Sequence, residues 1–132
     1  CNNVPQASCV VQVVPTSPFI RSESISEAIK KFQSSDEIRS VVGCRGQSLY
    51  TWTDGRPAYR RNAALPNSDE LDLTLHETTG LYVMDPGSVT RSGLRVDPDY
   101  CVPHLLSPVE SIDINNQADW DLAQLVWRGL HA

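Results

Sequence analysis

The sequence predicts an α/β fold, with helices packed on a mostly parallel sheet, and three observations carry that reading. Residues Cys9 to Val14 form an almost continuous β-branched run, the pattern of a strand buried on both faces. Ile25, Ala28, Ile29 and Phe32 recur at i, i+3, i+4 and i+7, the spacing of one helix face. Arg39 to Cys44 then gives a second short apolar run. Strand, helix and strand in that order imply a parallel pair joined by a right-handed crossover.

The elements follow in turn. Pro15 stops the first strand, Thr16-Ser17-Pro18 makes a turn, and Ser24 with Glu27 reads as a capping box opening a helix of about ten residues. Ser34-Ser35-Asp36 ends that helix. From Arg45 to about Glu77 there is no sustained period, and Gly46, Gly55, Pro57 and Pro66 lie among Tyr50, Trp52 and Tyr59. This stretch is expected to leave the sheet as an arm, with a strand over 48–52 running into a turn at Asp54-Gly55. Leu81 to Met84 returns as a buried strand, Asp85-Pro86-Gly87 turns, and 88–92 forms one helical turn. Ser111 to Ile114 is expected as the last strand. Asn116 caps a closing helix with Leu122, Leu125, Val126 and Leu130 on one face. Trp52, Trp120 and Trp127 read as packing residues; Trp120 and Trp127, seven apart, share a face of that helix and offer, as an alternative, an anchor for a partner.

Composition narrows the function. The 132 residues hold 11 Lys and Arg against 16 Asp and Glu, a formal charge of −5, the wrong sign for a nucleic-acid binder held by phosphate contacts. No apolar run approaches the roughly 20 residues of a membrane span. There is no G-x-S-x-G elbow, H-E-x-x-H pair or P-loop, so hydrolase, zinc-protease and nucleoside-triphosphatase readings have no residues to rest on. Cys1, Cys9, Cys44 and Cys101 show no metal-ligand spacing and read as free or buried thiols. His76, His104 and His131 are equally scattered, and only His76 flanks the candidate site. With no signal sequence visible, a cytoplasmic protein is expected.

Three segments together resemble the nucleotide-sugar cytidylyltransferases of the acylneuraminate (CMP-sialic acid synthetase) type. The first is Val10 to Ile20, containing Val-Pro-Thr-Ser-Pro. The second is Asp69-Glu70-Leu71 with Glu77-Thr-Thr-Gly-Leu-Tyr-Val83. The third is Ser107-Pro-Val-Glu-Ser-Ile-Asp-Ile-Asn115 with Asp119-Trp-Asp-Leu-Ala123. They occur in the family's order and at its spacing, across nearly the whole chain. The resemblance implies a Rossmann-like three-layer sheet, as in the nucleotide-diphospho-sugar transferase fold, within a single domain over 1–132 whose arm at 45–77 makes a dimer. It also implies transfer of CMP from CTP to an acidic sugar with magnesium. The family's glycine-rich, Arg- and Lys-bearing phosphate turn is not among these residues. On this alignment the chain is the acceptor-sugar half, inactive alone. The alternative is a non-catalytic derivative that binds a sugar acid or a protein. The first strand's edge is expected to be closed by a second copy, by a separate N-terminal half, or by 1–8.

The resemblance also implies a site. The family's carboxylate pair for magnesium becomes Asp113 and Asn115, which share one side if the segment is a strand. Asp113 otherwise caps the next turn, and Asn115 the last helix. The family's sugar-binding Gln aligns with Val14, leaving Gln12 two residues earlier as its substitute. Its Arg for the sugar carboxylate aligns near Ser68, leaving Arg60 and Arg61, which read equally as solvated surface. Thr16 and Ser17 match strand-end hydroxyls or serve the turn, and Glu77 bonds a sugar hydroxyl or orients its loop.

Overall fold

The computed structural model describes residues 7–59 and 66–132. It is an α/β protein whose main sheet has four strands: β1 (Val10–Val13), β2 (Ser40–Gln47), β5 (Thr74–Met84) and β6 (Cys101–Leu105). Their spatial order is β1-β5-β2-β6. β1 pairs antiparallel with β5, Val11 opposite Val83 and Val13 opposite Leu81, and β2 pairs parallel with β6. Asp85 N bonds Arg39 O at one end and Thr78 Oγ1 bonds Gly43 O further along, so β5 also runs antiparallel to β2. The sheet is therefore mostly antiparallel, not mostly parallel as the sequence suggests. The crossover from β1 to β2 does form, through helix α1 (Ser22–Gln33), but β5 is inserted between the two strands.

That insertion corrects the reading of Cys9 to Val14. β1 is an edge strand with alternating burial, and Val11 and Val13 are 36% and 42% exposed. Val14 N bonds Gly80 O, which makes 12↔82 and 10↔84 the hydrogen-bonded pairs and turns the backbone groups of Val11 and Val13 outward. On one face of the sheet Val41, Leu81, Val83 and Leu106 pack with Ala28 and with Ile25, Ile29 and Phe32 of α1. On the other, Val42, Cys44, Tyr82 and Met84 pack with Val10, Val96 and Val89 of the short helix α2 (Pro86–Ser92). Cys9, Cys44 and Cys101 are free thiols; Cys1 lies outside the described residues.

Helix α1 begins two residues before the expected cap. Ser24 sits inside its first turn, and no side chain of the N-cap residue Arg21 caps it. The Ser24 hydroxyl and the Arg21 N–H both donate instead to Glu110, so a carboxylate distant in sequence does the capping. Helix α2 starts at Pro86, two residues before the expected helical turn, with the Asp85 side chain accepting from Ser88 N. Helix α3 (Gln117–Leu130) carries the expected cap, a reciprocal box between Asn116 and Asp119. Its expected apolar face is not buried: Leu122, Leu125 and Leu130 are exposed, and Ala123 is its one fully buried residue.

The strand expected at Ser111 to Ile114 does not form. Ser111 N bonds Ser107 O in a turn, and Ile114 N bonds Thr16 O, which pins the segment to the residues after β1. The last strand is instead β6, which includes Pro103 and pairs with β2.

Gly46–His76 forms a compact unit of its own. Within it β3 (Trp52–Thr53) and β4 (Arg56–Pro57) pair across Asp54-Gly55, both with positive φ, as the tight hairpin turn requires. Tyr50 and Tyr59 meet edge to face.

Candidate functional site

β1 ends in Val14-Pro15, and the chain turns there because proline cannot continue the ladder. This puts Thr16 and Ser17 at the carboxyl end of β1. The turn after β6 brings Asp113 to the same place, tied by the bond from Ile114 N to Thr16 O. Open α/β sheets commonly bind ligands outside the carboxyl ends of their strands. Ser17 Oγ donates to Asp113 Oδ1 at 3.5 Å, Thr79 Oγ1 to Oδ2 at 3.3 Å, and Asn115 Nδ2 to Oδ2 at 2.8 Å. Asp113 and Asn115 thus do adjoin, though by a loop and not by the i, i+2 geometry of a strand. Partial burial alone would raise the Asp113 pKa. The hydrogen bonds from Thr16, Asn115, Thr79 and Ser17 outweigh it and hold the carboxyl below its ordinary range.

Thr79 has φ +60° inside β5, a conformation that β-branched residues rarely adopt. The neighbouring Gly80 is forced by close approach: a Cβ there would lie 2.6 Å from Ser17 Oγ. Backbone held in this region costs about 1–3 kcal/mol and clusters at sites where a side chain must be aimed. Here it sets the Thr79 hydroxyl between Thr78 O at 2.7 Å and Asp113 Oδ2 at 3.3 Å. Thr79→Asn, whose side chain tolerates the left-handed region, is expected to raise stability by about 1 kcal/mol. Urea unfolding checks this; an unchanged or lower midpoint would mean the strain is absent.

Beyond Thr79 opens a solvent-facing cleft of about 440 Å³, lined by Glu77, Thr79, Tyr82 and residues 93–96, Arg95 among them. The Tyr82 hydroxyl donates to Glu77 Oε1. Burial first, and that carboxylate second, push its pKa up to about 12, so it remains a protonated donor. Gln12 lies opposite Tyr82 and shares its face of the sheet. An apolar groove of about 370 Å³ between 15–19 and α3 is walled by Pro15, Phe19, Trp120 and Trp127 and offers no acid or base for chemistry.

Of the residues the sequence singles out, Thr16, Ser17, Asp113 and Asn115 meet in one cluster, and Glu77 lines the adjoining cleft. Arg60 and Arg61 lie outside the described residues. Ser68 opens a short 3-10 turn in the Gly46–His76 unit, and His76 is exposed in that unit. Sequence reasoning missed Thr79, Arg95 and Glu110. Only Glu110 has a signal, since Ser107 and Glu110 are spaced as a capping box and bond reciprocally.

The donors around Asp113 are all oxygens apart from the asparagine amide, the type a hard divalent cation takes. Among the described residues no group of three His, Cys, Asp or Glu side chains gathers to hold a metal. The cluster therefore suits magnesium only in the mode where one or two carboxylates act together with substrate phosphate oxygens. Compared with known protein families and with curated proteins, the chain matches none.

Proposed function

We propose that this chain is the acceptor-binding part of a cytidylyltransferase-like protein that takes an acidic sugar of the sialic acid type. One observation carries the reading: the three segments that bear the resemblance, far apart in sequence, supply the residues that converge on Asp113. Thr16 and Ser17 come from the first, Thr79 from the second, and Asp113 with Asn115 from the third. The crossover through α1 and the parallel β2–β6 pair agree with a Rossmann-like origin for the sheet.

In this reading Asp113 and Asn115 hold magnesium, which offsets charge on nucleotide phosphate oxygens when bound. The cleft from Glu77 to Arg95 holds the sugar. Glu77 accepts from sugar hydroxyls, and Tyr82 keeps Glu77 in place through its own hydroxyl. Phosphate recognition normally takes backbone amides and cations, and the 132 residues contain no glycine-rich basic turn. That favours, as a second reading, a sugar-acid-binding protein without nucleotidyl transfer.

Calorimetric titration of the chain with N-acetylneuraminate, and separately with CTP and magnesium, tests the proposal. Sugar binding without nucleotide binding is the expected result. Binding of CTP without the sugar would mean that the chain carries a phosphate site and not an acceptor site, and silence from both ligands would leave it with neither; each outcome overturns the reading.

A further inference from the structure

We infer that Arg95 is the residue that reads the ligand's carboxylate, and that the cleft from Glu77 to Arg95 selects monoanionic polyhydroxy acids over neutral sugars and phosphate esters. The inference rests on the proposed function above and deepens it, because the resemblance places the carboxylate-binding arginine elsewhere, near Ser68.

The chain is built to present this side chain. Gly93 ends α2 with φ +70°, donating its N–H to Val89 O, and so turns the backbone out of the helix toward 94–96. Val96 then packs against the cluster of Val42, Cys44, Tyr82 and Met84, which fixes the backbone one residue after Arg95. The Arg95 guanidinium carbon lies 5.4 Å from the centroid of the Tyr82 ring, within cation–π range. That ring is a rigid platform, since Tyr82 is 2% exposed and tied at its hydroxyl to Glu77.

Arg21 pairs with Glu110 and Arg91 with Asp85. Arg95 is exposed in the cleft wall, makes neither of these ion pairs, and lies near the Tyr82 hydroxyl that donates to Glu77. A guanidinium fork stacked on an aromatic face is the preferred partner of a planar carboxylate. The same cleft carries Glu77, on the other side of the shared Tyr82 hydroxyl interaction. Its negative charge accepts from hydroxyls but repels anions, and it repels a phosphate dianion about twice as strongly as a carboxylate. A ligand with one carboxylate and several hydroxyls satisfies both side chains.

The test compares N-acetylneuraminate with its uncharged methyl ester by calorimetry on the 132-residue chain, in wild type, Arg95→Met, Arg95→Lys and the double variant Arg60→Met/Arg61→Met. Wild type is expected to prefer the acid by about tenfold or more, the scale of one charge-assisted hydrogen bond. Arg95→Met is expected to bind acid and ester equally with an unchanged melting temperature, and Arg95→Lys to recover part of the preference. An acid preference that survives in Arg95→Met, or that disappears only in the double variant, overturns the inference while leaving the proposed function standing. A wild type that binds neither compound overturns both.

Discussion

Replacing Glu110 by glutamine is expected to cost about 3 kcal/mol of folding stability at neutral pH, because a nearly inaccessible carboxylate is tied at once to two parts of the chain. It accepts from Ser24 Oγ, Arg21 N and Arg21 Nη2 on the α1 side, and from Ser107 N and Oγ on its own turn. A glutamine amide offers one acceptor oxygen and turns two N–H groups toward donors. Burial by itself would raise the Glu110 pKa. The Ser24 and Ser107 hydroxyls, then Arg21, overcome this and bring it down to about 2 from an ordinary 4.5. Arg21 is largely exposed, so its charge is screened and the hydroxyl and backbone donors do most of the holding.

A folded-state pKa below the unfolded one gives stability that is present above the unfolded value and lost as pH falls. The window here runs from about 4.5 down to about 2. Between pH 7 and pH 3 this group alone is expected to remove about 2 kcal/mol in the wild type and nothing in Glu110→Gln. Asp113, also lowered, adds loss of the same sign in both proteins. Urea unfolding at the two pH values measures the difference. Equal slopes with pH in wild type and variant would show that Glu110 is not held as described.

Gly80→Ala is expected to be nearly as damaging, for a steric reason. The added Cβ would lie 2.6 Å from Ser17 Oγ, 2.8 Å from Ile20 Cδ1 and 2.9 Å from Ser17 Cβ, closer than real Cβ contacts. Ser17 is buried and bonded to Asp113, so it cannot yield without disturbing the cluster. Overpacking of this kind costs about 1–3 kcal/mol. Ser17→Gly in the same chain removes both clashing Ser17 atoms, and the double variant should recover part of the loss. Thermal unfolding of both singles and the double gives the coupling; strict additivity would show that the two residues do not touch.

Much of the fold is legible from local chemistry, and the rest depends on pairings between distant residues. The Asp54-Gly55 turn, the crossover helix and the cap at Asn116 are all written in short patterns. β6 escaped because Cys-Val-Pro-His-Leu has proline at its centre, which argues against a strand. Proline is tolerated there because β6 is the sheet's outer strand, with β2 as its one neighbour. Ser111 to Ile114 alternates like a strand, yet its backbone bonds go to Ser107 and Thr16. No local pattern shows that β5 inserts between β1 and β2. In the site, Asp113 and its hydroxyl neighbours are legible as residue types. Thr79 is not, since a positive φ at a β-branched residue contradicts its own propensity. Arg95 is not, since the packing of Val96 and Tyr82 is what places it.

Both carboxylate clusters join the ends of the chain. Ser24 and Glu110 are 86 positions apart, and Ser17 and Asp113 are 96 apart, whereas the hairpin at 54–55 and helix α2 close over a few residues. Closing a long loop costs entropy that short-range contacts do not pay, so local elements are favoured early and these junctions late. The cleft from Glu77 to Arg95 adjoins one of those junctions through Thr79. The cleft therefore takes shape at the end of folding, and any ligand that bound there would draw on the whole-molecule equilibrium rather than on a local opening.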